Sequence, residues 1–164
     1  MSQLEVALFE EDTNYVEIKE SDPNYIITLV PASYVHTVWE DVELILERAV
    51  IKSGGRWTIN SVHEALLKDE QQLWVTFNKD NDILGVATTQ FVNYPNSLMC
   101  AIQYIGGNDF KGWAYMLGMK LEAWARDAGC DGMESTARYG FWKWASHLKW
   151  KKAYTVFEKR FNNE

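Results

Sequence analysis

The residues best suited to chemistry sit where an apolar run breaks. Leu98–Ile105 is apolar at nearly every position, and Gly106-Gly107-Asn108-Asp109 stops it before an amphipathic stretch opens near Lys111. A strand that ends at glycines ahead of a helix leaves backbone N–H groups unpaired at the positive end of a helix dipole. Such an end suits a phosphate or pyrophosphate, although many strand–helix turns use glycine only to make the turn. Glu134 stands on the next predicted strand. A carboxylate there, with its pKa raised by burial, could take a proton from an ammonium; an ion pair with Arg138, four residues on, is the structural alternative. His147 could shuttle protons but falls on a helix surface. Cys100 and Cys130 form no CxxC pair and have no histidine close in sequence, which argues against a covalent cysteine intermediate. The three histidines are scattered, and no metal-ligand spacing is present.

The elements that must position these groups follow from periodicity. Tyr25–Val30 is a short β-prone run stopped by Pro31. Val35, Val38, Trp39, Val42, Ile45, Leu46, Ala49 and Val50 recur at helical spacing, with Ser33 as the expected cap and Gly54-Gly55 as the end. A second helix is predicted from about Ser61 to Leu67, capped by Asn60 or Ser61. Leu73–Phe77, Ile83–Val92 and Leu98–Ile105 read as a meander of strands, the last one central and buried on both faces. A long helix from Lys111 carries Ala114, Leu117, Leu121, Trp124 and Ala128 inward and closes at Gly129. A short strand over Asp131–Thr136, a helix over Tyr139–Leu148 and a final alternating strand over Ala153–Phe161 complete the order. Strands that pair in a meander and then cross through helices imply an α/β fold with a mixed, mostly antiparallel sheet and helices on both faces.

Composition bounds the rest. At 164 residues the chain fits one domain, here 25–164, preceded by an acidic arm or short strand in 1–24. Apolar residues at 47% and charged residues at 24% are globular values. The net charge of −7 argues against general nucleic-acid binding. Charge is uneven: residues 1–50 hold eleven acidic and two basic side chains, a balance of −9, whereas Arg138–Arg160 holds seven basic and one acidic, a balance of +6. The basic face suits an anionic ligand such as a phosphorylated cofactor. No apolar run reaches bilayer-spanning length, and the N-terminus lacks a signal pattern, so a cytoplasmic location is expected.

The element order and the stretch Asp109-Phe110-Lys111-Gly112-Trp113-Ala114 resemble the GCN5-related N-acetyltransferase (GNAT) family. That family carries a pyrophosphate-binding segment, [Gln/Arg]-x-x-Gly-x-[Gly/Ala], between a strand and a helix. Gly112 and Ala114 match it, while Asp109 departs by placing a carboxylate where the family has a neutral or basic side chain. Trp124-Ala125-Arg126, Gly129-Cys130, Glu134, Arg138, Gly140-Phe141 and Thr155-Val156-Phe157-Glu158-Lys159 look like the small GNAT-like proteins encoded by tailed bacteriophages. The resemblance implies acetyl-CoA as cofactor, no metal, and an amine as acceptor. It implies a cofactor site in Phe110, Lys111, Gly112, Trp113 and Ala114, with Tyr104 and Ile105 pairing along the pantetheine. Two positions depart further: Ala145 falls where the family has a tyrosine acid, and Gln103 where it often has a base. Glu134 is then the remaining catalytic carboxylate, and Tyr139 or His147 the next acids to consider. Two readings stand at this stage: an acetyl-CoA-dependent N-acetyltransferase of weak activity, or an inactive GNAT-fold structural or interaction protein of a phage virion. Host cytoplasm or virion is the corresponding location, with self-association or other protein partners left open.

Overall fold

The computed structural model describes residues 22–161. The acidic leader therefore lies outside the described residues, apart from a turn at its end in which the Tyr25 N–H donates to the Asp22 carbonyl at 3.1 Å. Five strands form one sheet in sequential order: β1 Tyr25–Val30, β2 Gln72–Asn78, β3 Ile83–Tyr94, β4 Ser97–Gly107 and β5 Gly132–Glu134. The first four pair antiparallel, and β5 lies parallel to β4. The mixed, mostly antiparallel sheet read from the sequence is the sheet observed. β4 is not its centre, however: β3 is, and β4 lies one strand from the edge.

Each face of the sheet carries its own core. Helices α1 (Val35–Ile51) and α2 (Ile59–Leu67) cover one face, burying Val42, Leu46, Val62 and Leu66 against Leu73, Val75 and Val86. Helices α3 (Phe110–Asp127) and α4 (Tyr139–Ala145) cover the other, where Trp113, Leu117, Leu121 and Trp144 meet Ile27, Trp74 and Ile102. The strands alternate between these two sets because successive side chains leave opposite faces. Two buried layers on one sheet explain how a chain of this length hides so many large rings.

Local differences from the sequence reading have local causes. Thr58, rather than Asn60 or Ser61, caps α2: its hydroxyl accepts from the Ser61 N–H at 3.1 Å while the Ser61 hydroxyl accepts from the Thr58 N–H at 2.9 Å. The two bonds close a reciprocal capping box. A 3-10 turn, Ala32–Tyr34, leads into α1, so Ser33 lies inside the turn and makes no cap. Ala153–Phe161, expected as a final strand, has no regular secondary structure and pairs with none of the described strands. Trp124 is half-buried at the sheet's rim, edge-on to Trp74 and stacked on Phe91.

Candidate functional site

β4 and β5 touch briefly and then part. Their pairing is confined to Met99, Cys100 and Ala101, opposite Gly132, Met133 and Glu134. One more tie follows, the Ser135 hydroxyl donating to the Ile102 carbonyl at 2.9 Å. At the same point β4 shifts register against β3: Tyr104 faces Thr88, Ile102 faces Thr89, and Gln103 is left over as a bulge. A bulge bends its strand and increases the local twist, so the end of β4 turns away from β5. Residues 103–107 of β4 thus have a free backbone edge.

That free edge faces a notch of about 890 Å³. Tyr104, Ile105, Gly106 and Phe110 form one wall, and Ser135–Arg138, Phe141 and Trp144 the other. The Trp144 indole nitrogen is buried and has no hydrogen-bond partner. The lining also holds Arg48, Lys52 and Arg56, from the end of α1 and the turn after it, and Arg138; Glu158 is the one carboxylate among the described lining residues. Arg48 lies in the last turn of α1, Lys52 caps that helix and Arg56 follows the Gly54-Gly55 turn. Their field favours an anion at the mouth. Glu158 pairs with Arg160 and with Arg56, the latter at 2.6 Å, and both guanidinium groups hold its carboxyl below the usual range. Tyr104 has its hydroxyl pushed up by burial, opposed by a hydrogen bond with Ser53.

The sequence-derived cofactor residues divide here. Tyr104, Ile105 and Phe110 line the notch; Lys111, Gly112, Trp113 and Ala114 do not. Trp113 and Ala114 are buried in the core, and Gly112 is covered by Tyr25. The Tyr25 hydroxyl donates to the Asp109 carboxylate at 2.6 Å, which pushes the phenol up to about 12, with burial adding to the effect. Asp109 therefore binds β1 to the start of α3 and is absent from the notch lining. It takes up a left-handed conformation, φ 56°, to do so. The Gly112 N–H bonds the Asp109 carbonyl at 2.9 Å, leaving the earlier amides of Phe110 and Lys111 as the open ones of the first turn.

Two expected results follow. A Cβ on Gly112 would fall inside contact distance of the Tyr25 hydroxyl. Gly112→Ala should lower stability by about 1–3 kcal/mol in chemical unfolding, so a bulky residue here is not a clean probe of ligand binding. The stability drawn from the Tyr25–Asp109 bond is full below pH 10, the ordinary phenol value, and is lost as pH rises toward about 12. Alkaline unfolding of Tyr25→Phe should show a shallower loss over that window than the parent chain.

Glu134 lies beside a second cavity, a groove of about 1260 Å³ along the outer edge of β5. Its Oε2 accepts from the Tyr94 hydroxyl at 3.0 Å, and its Oε1 is buried with no partner. The Tyr94 phenol is raised by this bond. The alternative pairing with Arg138 does not form; Tyr94 takes that place. The groove shares residues 135–138 with the notch, so Glu134 stands next to the wall between them.

The remaining candidates separate from the site. Gln103 donates to Gln90 at 3.2 Å, and Gln71 donates to the same oxygen at 3.3 Å, a glutamine row with no basic member. Ala145 is fully buried, so a tyrosine substituted there would overpack the core and supply no acid. His147 packs edge-on to the Tyr115 ring. Burial pushes the Cys100 thiol up to about 12, which leaves it without nucleophilic thiolate at neutral pH. Among the described residues, no His, Cys, Asp and Glu group could hold a metal ion, and no helix is long and apolar enough to cross a membrane.

No protein-family model matches the sequence, and no curated protein matches it either. Solved structures do match in fold. A predicted acetyltransferase from Clostridium acetobutylicum, solved with acetyl-CoA, superposes with a TM-score of 0.63 at 12% identity, over 83% of this chain and 96% of that one. A ribosomal-protein-alanine N-acetyltransferase from Brucella melitensis gives 0.61 at 13%, over 84% and 99%. A GNAT family acetyltransferase from Staphylococcus aureus gives 0.57 at 16%, over 84% and 99%. At such identities the likeness is one of architecture: this chain has the GNAT acetyltransferase fold.

Proposed function

We infer that the chain is an N-acetyltransferase that takes acetyl-CoA in the notch and passes the acetyl group to an amine. The observation that carries this reading is the parting of β4 and β5 at the Gln103 bulge, which opens a free strand edge beside a ring of cations. The edge of Tyr104 and Ile105 suits the amides of a pantetheine arm, which pair as a strand would. Arg48, Lys52, Arg56 and Arg138, with the open amide at Phe110, suit the phosphates. Phe110, Phe141 and Trp144 give the arm an apolar lining. The neighbour from Clostridium acetobutylicum, solved with acetyl-CoA, supports the choice of ligand.

The chemistry is direct transfer. Glu134, with Oε2 bonded to Tyr94 and Oε1 buried without a partner, takes the proton from the incoming ammonium at its groove-side oxygen; the amine then attacks the thioester carbonyl and coenzyme A leaves as the thiolate. Ala145 has no proton to give the departing thiolate, so turnover is slow compared with an enzyme that has both acid and base. Calorimetric titration with acetyl-CoA tests the reading. Micromolar binding is expected, and Arg48→Glu should weaken it at least tenfold, about 1.4 kcal/mol. No heat at millimolar acetyl-CoA, or unchanged affinity in Arg48→Glu, would overturn the placement in this notch.

A further inference from the structure

The groove beside β5 contains a pair of rings that binds a cation, and the chain supplies the cation itself. Lys152 Nζ lies 5.0 Å from the ring centre of Tyr139 and 5.0 Å from that of Trp142. Both distances fall within the ~6 Å over which a ring face attracts an ammonium. Tyr139 and Trp142 are three positions apart on α4, so they leave the helix on one face. Lys152 is exposed and makes no ion pair with any described residue, so the rings and not a carboxylate hold its ammonium. Lys149 and Lys151 line the same groove and are equally exposed, yet neither lies over a ring of the described chain. Glu134 lines this groove too, with its Oε1 buried and unpartnered. The notch is next door: residues 135–138, Phe141 and Val156 line both cavities, and Phe141 stands between the two rings on α4. Lys152 lies where the backbone has no helix or strand to break, so its stem is free to swing toward that shared wall.

We propose that Lys152 is a site of self-acetylation, with Tyr139 and Trp142 as the subsite that presents its ammonium. The proposal rests on the reading of the notch as the acetyl-CoA site. Glu134 takes one proton from the Lys152 ammonium. The Nζ lone pair then forms a C–N bond to the thioester carbonyl, the C–S bond breaks, and coenzyme A leaves as the thiolate. The nitrogen sheds its second proton to solvent as the amide forms. Acetylation removes the charge that the rings hold. The modified side chain therefore leaves the ring pair to an outside ammonium of the same shape, a primary amine on an unbranched alkyl stem.

The test mixes the full-length chain with acetyl-CoA and maps acetylated peptides by mass before and after. One acetyl group at Lys152 is expected, gained about tenfold or more faster than at Lys149 and Lys151, which measure uncatalysed acetylation in the same groove. The rate constant should not change with protein concentration, because base, rings and acceptor share one chain. Glu134→Gln should slow Lys152 by about tenfold or more and leave Lys149 and Lys151 as they were. Tyr139→Ala, at a position 69% exposed, should slow Lys152 by about two- to fivefold, the worth of one exposed cation–ring contact. Equal labelling of the three lysines overturns the proposal, as does a rate constant that rises with protein concentration or a Lys152 rate indifferent to Glu134→Gln. An unlabelled Lys152 in a chain that gives heat with acetyl-CoA overturns self-acetylation alone and leaves the notch reading standing. No label and no heat removes the notch reading and self-acetylation with it.

Discussion

Trp113→Ala should destabilise the folded chain by about 3–5 kcal/mol, a large part of what holds a domain of this size together. Trp113 is buried without remainder between α3 and the sheet, and its ring occupies the space over Gly85, where any side chain would collide with it. The indole N–H donates to the Asn108 carbonyl at 2.8 Å, and Phe110 meets the ring edge-on at 5.0 Å. Truncation therefore opens a cavity and frees the turn that leads from β4 into α3. Trp124 is the control. Half-buried, with Trp74 and Phe91 as neighbours, it should cost only about 1–2 kcal/mol. Chemical unfolding of both variants measures the contrast, and equal losses would show that the two rings are not placed as described.

Glu134→Gln should lower turnover by about 10²-fold or more, within the 10²–10⁴ range of a general base. The substitution is nearly isosteric, and its amide oxygen can still accept from Tyr94, so geometry is kept while the proton acceptor is lost. Tyr94→Phe separates positioning from proton transfer. It leaves the carboxylate but frees its Oε2, and the expected effect is smaller, about tenfold. Acetyl-CoA affinity should be the same in all three proteins. Turnover unaffected by Glu134→Gln would remove Glu134 from the reaction and leave the notch with binding alone.

Much of the architecture could be read from short-range pattern, because each of its signals lies within one element. The glycine break after Ile105 marks the end of β4 to within two residues, and the 3.6-residue recurrence of Val42, Leu46 and Val50 marks α1. What could not be read depends on contacts between distant elements. Tyr25 and Asp109 are 84 residues apart, and nothing in the sequence around Asp109 shows that its charge is engaged by β1. Arg48, Lys52 and Arg56 went unremarked in the sequence, because only the folded chain brings them to the same cavity as the free edge of β4. The alternation in Ala153–Phe161 predicted a final strand, and the described structure forms none there. It carries no information on whether a neighbouring strand is within reach, and here the sheet ends one groove short of it.

The two cysteines differ in a way that turns the sheet into its own clock. Cys100 is fully buried on β4, between β3 and β5, whereas Cys130 is partly exposed in the turn before β5. A thiol reagent added to the native chain meets Cys130 at once and waits for Cys100. The delay reports how often β4 is uncovered by local or global opening. Because β4 also provides the free edge of the notch, any ligand that seats there slows the second reaction without touching the first. Two labelling rates from one unmodified protein then give the opening free energy and its change on binding.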